Sequence, residues 1–530
     1  ETKFVENGVS VGGGSILGVL GGIGRVLMQG TFKGAIFIPG KYTGTFMPRS
    51  EVQGIYFASH FDNYYVNAPT DDVLRLLEDL ALWGQNSVAV WFDLHHYSGP
   101  NDPEAIKMAT RLNTYLKYAK KLGMIIKHGG LANEGFNTTP NEVRAEWHVQ
   151  GNYKRSPGSH YHTEICPNKI GGLELIIKNR RKMLELFQEC PPDIFSLSVY
   201  DQGGCTCSAC EPYGGNSYPK ILKALLPTFK SFNPDIKLML SGWYLDRFID
   251  GEWEMLYESF SQSKELNSNY QYIGGISTLN ENKPPLRALL GDGPMGTKVL
   301  GFPEISMQGC YPYGGFGANP MPQVLQHEWD KTGKNQAGMF AYSEGIFEDI
   351  NKFIVIGMYS GKFSNTRDAV RTYVKMELSS DYCDKLTDVL FDMEQTYRRK
   401  VPLEIIDNRD GYQVYNDIRL RITFDNPEKI ESIFQTVAQI DSKLPSYIRN
   451  SFRWRLIYNR AAADYTLLLH DGYMNEETEQ YLWDLWHLYH ITDNSYLCVT
   501  PPVRACVFKQ FPGRNKGRTD AQSEFAINLI

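Results

Sequence analysis

The pattern of apolar and polar positions changes character twice along the chain. The opening stretch, GVSVGGGSILGVLGGIGRVLMQG, is apolar but studded with glycine, which argues against a long helix; a strand-like GAIFIPG follows. From Gly54 onward one unit repeats: a short β-branched or apolar run, a loop, then an amphipathic stretch of helical period. The runs are GIYFAS from Gly54, SVAVWFD from Ser87, MIIKHGG from Met124 and IFSLSVYD from Ile194. KLMLSGW from Lys237, QYIGGIS from Gln271, KVLGFPEIS from Lys298 and GMFAYSEG from Gly338 complete the set. Helical stretches such as DDVLRLLEDLALWG and DPEAIKMATRLNTYLKYAKKLG separate them, and Thr70 is the expected N-cap of the first. Strand–helix units in this number predict an α/β fold, a (β/α)8 TIM barrel, longer than the typical ~250 residues and so carrying insertions. The alternative is an open doubly wound sheet, which would place a GxGxxG turn after an early strand; no such turn follows the early strands.

After residue 365 the strand pattern stops, and segments such as NPEKIESIFQTVAQIDSKL and EETEQYLWDLWHLYHI read as helices between Pro402, Pro427 and Pro445. The expected layout is therefore a short N-terminal α/β segment over 1–50, read as a truncated one, a catalytic barrel over 51–365, and a C-terminal all-helical domain over 366–530.

Composition narrows the class. With 42% hydrophobic and 22% charged residues in 530, the chain is globular rather than disordered. A net charge of -6 leaves no basic excess, so no nucleic-acid partner is expected. No run of about 18 apolar residues suggests a membrane span. The start, ETKFVENG, shows no signal-peptide pattern. With a leader already removed the protein would be periplasmic or secreted; a cytoplasmic location is the alternative. Aromatic residues reach 13%, with 32 Tyr, 27 Phe and 9 Trp. Such rings stack on sugar faces, but they also fill cores.

Barrel enzymes place their chemistry at the C-terminal ends of the strands. Those ends carry His60, Asp62 and Asn63; Asp93, His95, His96 and Tyr97; His128, Asn133 and Glu134; and Tyr200, Asp201 and Gln202. The later strands add Trp243, Tyr244 and Arg247, then Glu304, then Tyr342 and Glu344. Glu348 and Asp349 read as first-turn acids of the last barrel helix. Paired carboxylates beside an aromatic platform are what glycoside hydrolysis requires: one protonates the leaving oxygen, the other attacks the anomeric carbon or activates water. Asp201, Glu304 and Glu344 are the catalytic candidates, with Asp201 as general acid and either glutamate as base or nucleophile. The alternatives are a turn cap for Asp201, an ion pair for Glu304 and ligand binding without chemistry for Glu344. His60, Asn63, Asp93, His96, Asn133, Glu134, Glu164, Tyr200, Gln202, Trp243, Tyr244 and Tyr342 are the expected substrate contacts.

The cysteines number 9, an odd count that does not describe a disulfide scaffold. Cys205, Cys207 and Cys210 are spaced CxCxxC, and with Cys166 as a fourth ligand they could hold a structural Zn²⁺. His160 and His162 are alternative ligands, and free or disulfide-bonded cysteines are the competing reading. No catalytic cofactor is called for: HExxH and Walker motifs are absent.

The stretches IYFASHFDNYY, LALWGQNSVAVWFDLHHY, TEICPNK, YDQGGCTCSACEPYGGNSYPK, FPEISMQGCYPYGGFGANP and YSEGIFEDINK resemble bacterial TIM-barrel glycoside hydrolases. They lie in the neighbourhood of the family 20 hexosaminidases and family 67 α-glucuronidases. The glycine-rich opening resembles the end of the small α/β domain before those barrels, and the helical C-terminal region is similar to the family 67 layout. The resemblance implies a glycosidase of carbohydrate metabolism or polysaccharide degradation, with an oligosaccharide or polysaccharide as partner. One departure matters: the family 20 barrel carries an Asp-Glu pair after strand four, where this chain has Asp201-Gln202. In the family 67 scheme an acid after strand four works with later carboxylates, which Asp201 with Glu304 and Glu344 could match. A uronic acid would want a basic group such as Arg247 or Lys127. Two rivals stay open, a non-catalytic carbohydrate-binding barrel and a zinc-dependent hydrolase, as does the oligomeric state.

Overall fold

The computed structural model describes residues 1–489, apart from 6–7, 34–35, 41–42, 61–62, 148–162, 201–202, 278–282, 307–318, 397–398, 401–404, 410–411, 416–422 and 474. Its centre is a closed barrel of parallel strands in sequential order. The strands are β1 (Val52–Phe57), β2 (Ser87–Trp91), β3 (Ile125–Leu131), β4 (Ile194–Ser198), β5 (Lys237–Ser241), β6 (Tyr270–Ile276), β7 (Lys298–Gly301) and β8 (Gly338–Ser343). β8 pairs with β1 from Gly338 opposite Val52 to Ser343 opposite Phe57, which closes the cylinder. Helices covering the outside are α2 (Thr70–Trp83), α3 (Pro103–Lys121), α4 (Gly172–Leu186), α5 (Ser217–Phe232), α6 (Glu252–Gln262), α7 (Pro322–Lys331) and α8 (Asp349–Ser360). They follow α1 (Ile16–Gln29) in the N-terminal segment.

Strand parity sorts the side chains. Val52, Tyr56, Ala89, Trp91, Leu131, Ile194, Met239, Tyr272, Leu300, Phe340 and Tyr342 fill the barrel interior. The alternate positions Ile55, Phe57, Val88, Val90, Ile126 and Leu197 pack under the helices. α2 shows the matching helical logic. Val73, Leu76, Leu77, Leu80 and Ala81 are buried at i, i+3, i+4, i+7 and i+8. Gly84, with φ 103°, ends the helix in a left-handed turn. Thr70 is the first helical residue rather than the N-cap; Pro69 holds that position with no side-chain bond.

One expectation is corrected and one holds. The glycine-rich opening does form a helix, α1, started by Ser15, whose hydroxyl accepts from Gly18 N at 3.1 Å. Packing outweighs propensity there: a Cβ on Gly24 would lie 1.7 Å from the Leu82 carbonyl oxygen, so glycine lets α1 seat against the end of α2. The C-terminal region is helical, as expected, with short paired strands between two of its helices. It contains α9 (Thr366–Tyr373), α10 (Cys383–Thr396), α11 (Pro427–Asp441), α12 (Phe452–Leu469) and α13 (Glu476–Tyr489). Between α10 and α11, Arg399–Lys400 pairs with Thr423–Phe424, and Ile405–Arg409 with Tyr412–Tyr415. These strands are too short, and their pairing too local, to give the period-2 signal of a longer strand.

The C-terminal helices are bound to the barrel through Arg453 of α12. Its guanidinium bonds Asp79 of α2 at 2.7 Å, Asp349 of α8 at 2.8 Å and Glu377 at 3.1 Å, and lies 5.2 Å from the centre of the Trp83 ring. Arg453→Met would leave these carboxylates facing one another with no cation. The expected cost is about 3–5 kcal/mol, the range for breaking a buried pair from one side. It is measured as a lowered urea midpoint at unchanged slope, and a loss below about 1 kcal/mol, the worth of an exposed pair, would mean that the cluster is solvated.

Candidate active site

At the C-terminal mouth of the barrel the inward parity continues past the strand ends. Each of three aromatic side chains is followed two positions on by a carboxylate: Trp91 by Asp93, Phe302 by Glu304 and Tyr342 by Glu344. The rings form a nearly continuous floor. Tyr56 lies 5.6 Å from Tyr342, 6.1 Å from Phe302 and 6.1 Å from Trp91. Trp243 meets Phe302 at 5.1 Å and stacks on Tyr244 at 4.8 Å. His60 lies parallel to Tyr56 and accepts or donates a 3.1 Å bond between its Nδ1 and the Tyr56 hydroxyl. Beneath this floor the buried Lys127 ammonium sits 4.6 Å from the Phe340 ring centre and 5.5 Å from that of Tyr56. Burial lowers its pKa to about 7. Lys127 thus lies in the barrel interior, and Arg247 stacks 4.1 Å over Tyr244.

Glu344 is the most tightly built of the carboxylates. It is buried; its Oε1 accepts from the Tyr342 hydroxyl and its Oε2 from Asn63 Nδ2 at 2.9 Å. Asn63 is itself held, since the same amide nitrogen donates to Ala58 O at 2.8 Å and its Oδ1 accepts from Tyr65 N. The Glu344 backbone N–H donates to Ser306 Oγ at 3.1 Å and Glu348 Oε1 at 2.7 Å. Glu348 also accepts from Gly345 N at 2.8 Å and Ser343 Oγ at 2.6 Å, and Lys352 lies 3.6 Å away. Glu348 therefore braces the turn into α8. Burial pushes the Glu344 pKa up to about 7; the bonds from Tyr342 and Asn63 oppose that rise, while the Glu348 and Glu304 carboxylates add to it. Glu304 is buried and bridges to the Tyr342 backbone, so the two glutamates stand just past the ends of adjacent strands.

A second polar group lies across the mouth. Glu134 Oε1 accepts from Leu94 N at 2.8 Å and stands 3.3 Å from His95 Nδ1, which is 3.8 Å from Asp93. Trp91 Nε1 donates to Asp93, whose pKa is raised well up by burial and then by Glu134. His96 is exposed beside them, and Asp93, His95 and His96 converge closely enough to hold a cation. Glu164 bridges to Glu134 through the backbone.

Asn133 and Tyr200, expected as substrate contacts, are instead built into the loops. The Asn133 amide donates to Ile165 O and Gly204 O and accepts from Gly204 N, each at 3.0 Å. Tyr200 is buried and donates to Glu252 Oε1 at 2.5 Å. Glu252 also accepts from Gly214 N at 2.7 Å, and burial raises its pKa to about 7. Sequence reading missed Glu252 because it lies in a helix, not at a strand end. It missed Trp91 and Phe302 as well, although counting back two residues from each carboxylate would have found them. His128 faces outward against Phe187 at 4.3 Å, not the mouth. Asp62, Asp201, Gln202, His160 and His162 lie outside the described residues.

The thiols of Cys166, Cys205, Cys207 and Cys210 come together in the loops after β3 and β4, all within 4.8 Å of one another.

With this geometry, comparison with known proteins becomes informative. No known family profile and no curated protein sequence matches the chain. Solved structures do share the fold. A family 89 glycoside hydrolase from Clostridium perfringens, in complex with GlcNAc-α-1,4-galactose, superposes with a TM-score of 0.56 at 12% identity, covering 84% of this chain and 54% of that one. The family 89 enzyme in complex with 2-acetamido-1,2-dideoxynojirimycin gives 0.55 at 11%, covering 92% and 60%. A family 115 4-O-methyl-α-glucuronidase with specificity for decorated arabinogalactans gives 0.55 at 10%, covering 92% and 66%. The chain thus spans between half and two thirds of these structures. The fold is a TIM barrel shared with glycoside hydrolases, the neighbourhood that the sequence resemblance pointed to.

The Glu344 carboxyl generates a stability test. Its folded pKa of about 7 exceeds the unfolded value of about 4.3. Between these values the folded state binds more protons, so this contribution is fully present below about 4.3 and is lost as pH rises through about 7. Glu344→Gln removes the slope. The difference in urea midpoint, variant minus wild type, should therefore grow from pH 4.5 to pH 8; a constant difference would show that Glu344 ionises normally.

Proposed function

We propose that this protein is a glycoside hydrolase that cleaves an O-glycosidic bond at the C-terminal mouth of its barrel. The observation that supports this reading is the buried Glu344 beside Glu304 on a floor of aromatic rings. A carboxyl with a pKa of about 7 is protonated often enough near neutrality to donate to a leaving oxygen, while a neighbouring carboxylate attacks the anomeric carbon or activates water. Tyr342 and Asn63 fix the Glu344 carboxyl and stabilise the charge that it acquires on giving up its proton. Trp243 and Tyr244 offer a stacked platform to the apolar face of a sugar ring. His60, Asp93, His96, Glu134 and Glu164 are the groups proposed to bind its hydroxyls. Asp201, which follows β4, is the third acid proposed for the reaction, and a periplasmic or extracellular glycan is the proposed substrate source.

The test begins with a panel of aryl glycosides and natural oligosaccharides, then single amide variants against whichever substrate turns over. Glu344→Gln, Glu304→Gln and Asp201→Asn are each measured for kcat and for sugar affinity. Loss of a proton donor or base costs about 10²–10⁴-fold in turnover, with binding near normal. The acid variant should lose least on aryl glycosides with good leaving groups, and a nucleophile variant should be rescued by azide. Turnover that survives both glutamate changes unaltered would overturn the assignment.

A further inference from the structure

We propose that Cys166, Cys205, Cys207 and Cys210 bind one Zn²⁺ as a closed four-thiolate site that pins two rim loops of the barrel together. Tetrahedral zinc with Zn–S bonds of about 2.3 Å sets its sulfurs about 3.8 Å apart. Cys166 Sγ lies 3.8 Å from Cys207 Sγ and 3.5 Å from Cys210 Sγ, and the whole set falls within 4.8 Å. A disulfide needs about 2.05 Å between bonded sulfurs, so this spacing suits a shared ion better than a covalent pair. Cys166, Cys205 and Cys210 are fully buried, as a structural site with no open position requires.

The surroundings are those of bound thiolates. Glu146 N–H points at Cys205 Sγ at 3.5 Å, and Asn168 Nδ2 donates to Cys210 Sγ at 3.3 Å. Such donors orient ligand sulfurs and disperse their charge. Four thiolates around Zn²⁺ leave a net charge of -2, and Lys169 lies close enough to feel the charge of Cys166 and Cys205. Binding transfers the thiol protons to solvent and makes four Zn–S bonds, with no change of oxidation state.

The placement gives the metal its role. Cys166 follows Ile165, and Cys205 follows Gly204; these are the backbone groups that the Asn133 amide holds. Ile165 N also bonds Asn133 O at 2.7 Å, and Glu164 bridges to Glu134. The ion therefore fixes from outside the loops whose inner edge carries Glu134 and Glu164. It is a strut for the mouth, not a participant in bond cleavage.

The full chain, purified without chelator, should contain about one zinc per molecule by elemental analysis, and X-ray absorption should show four sulfur neighbours at about 2.3 Å. Replacement by Co²⁺ should give the visible absorption of a thiolate-bound tetrahedral ion. Cys207→Ser, the change at the partly exposed ligand, should lose most of the zinc and lower Tm, whereas Cys190→Ser and Cys383→Ser should keep full zinc. These measurements do not involve turnover, so they stand or fall apart from the glycosidase reading. Wild-type protein that stays zinc-free after incubation with zinc, that holds iron instead, or that shows a disulfide among the four cysteines would overturn the proposal.

Discussion

Everything at the mouth depends on the ladder between β1 and β8. The barrel is a cylinder only because its last strand finds its first, Gly338 against Val52 through Ser343 against Phe57. The contact tolerates little bulk at its start: a Cβ on Gly338 would come within 1.8 Å of the Val52 carbonyl oxygen. Once the ladder is made, chain segments nearly 300 residues apart become neighbours, and Asn63 reaches Glu344. Without closure Glu344 would keep Tyr342 but lose the amide that orients its second oxygen. A one-residue slip would turn Tyr342 and Glu344 toward the helices.

The mouth concentrates charge that a core would exclude. Glu344, Glu304, Glu348, Asp93 and Glu134 are all buried. Two compensations differ in kind. Glu348 is held through its Oε1 by backbone N–H groups and a hydroxyl, with Lys352 nearby, the treatment expected of a structural acid. Glu344 accepts from the neutral donors Tyr342 and Asn63 and sits beside like charge, so its proton is held close to the neutral point. That contrast between two acids four residues apart separates a brace from a carboxyl that titrates near neutrality more sharply than their spacing does.

Much of the architecture was readable from the chain, because both signals are periodic. All eight strand runs fall where alternation and bounding loops place them, and the helices between follow the 3.6-residue stripe. What was not readable depends on partners distant in sequence. α1 forms despite its glycines because Leu82 presses against Gly24. The loop roles of Asn133 and Tyr200 come from Gly204, Ile165 and Glu252, which no local pattern links to them. His128 looked like a mouth residue, yet strand parity turns it outward, and applying that parity strictly would have removed it. The cysteines were flagged by spacing, but only folding brings Cys166 to the other three.

Arg453 gives the C-terminal helices a reach that their position hides. Its partner Asp349 is the immediate neighbour of Glu348, and Glu348 holds the backbone of Glu344. A guanidinium on the far side of α8 is thus only a few bonded steps from the Glu344 carboxyl. The region that contributes no described residue to the mouth works like the tuning peg of a string: drift in α12 would alter the pitch at which Glu344 gives up its proton. Natural variation around Arg453 should accordingly shift the pH at which Glu344 titrates.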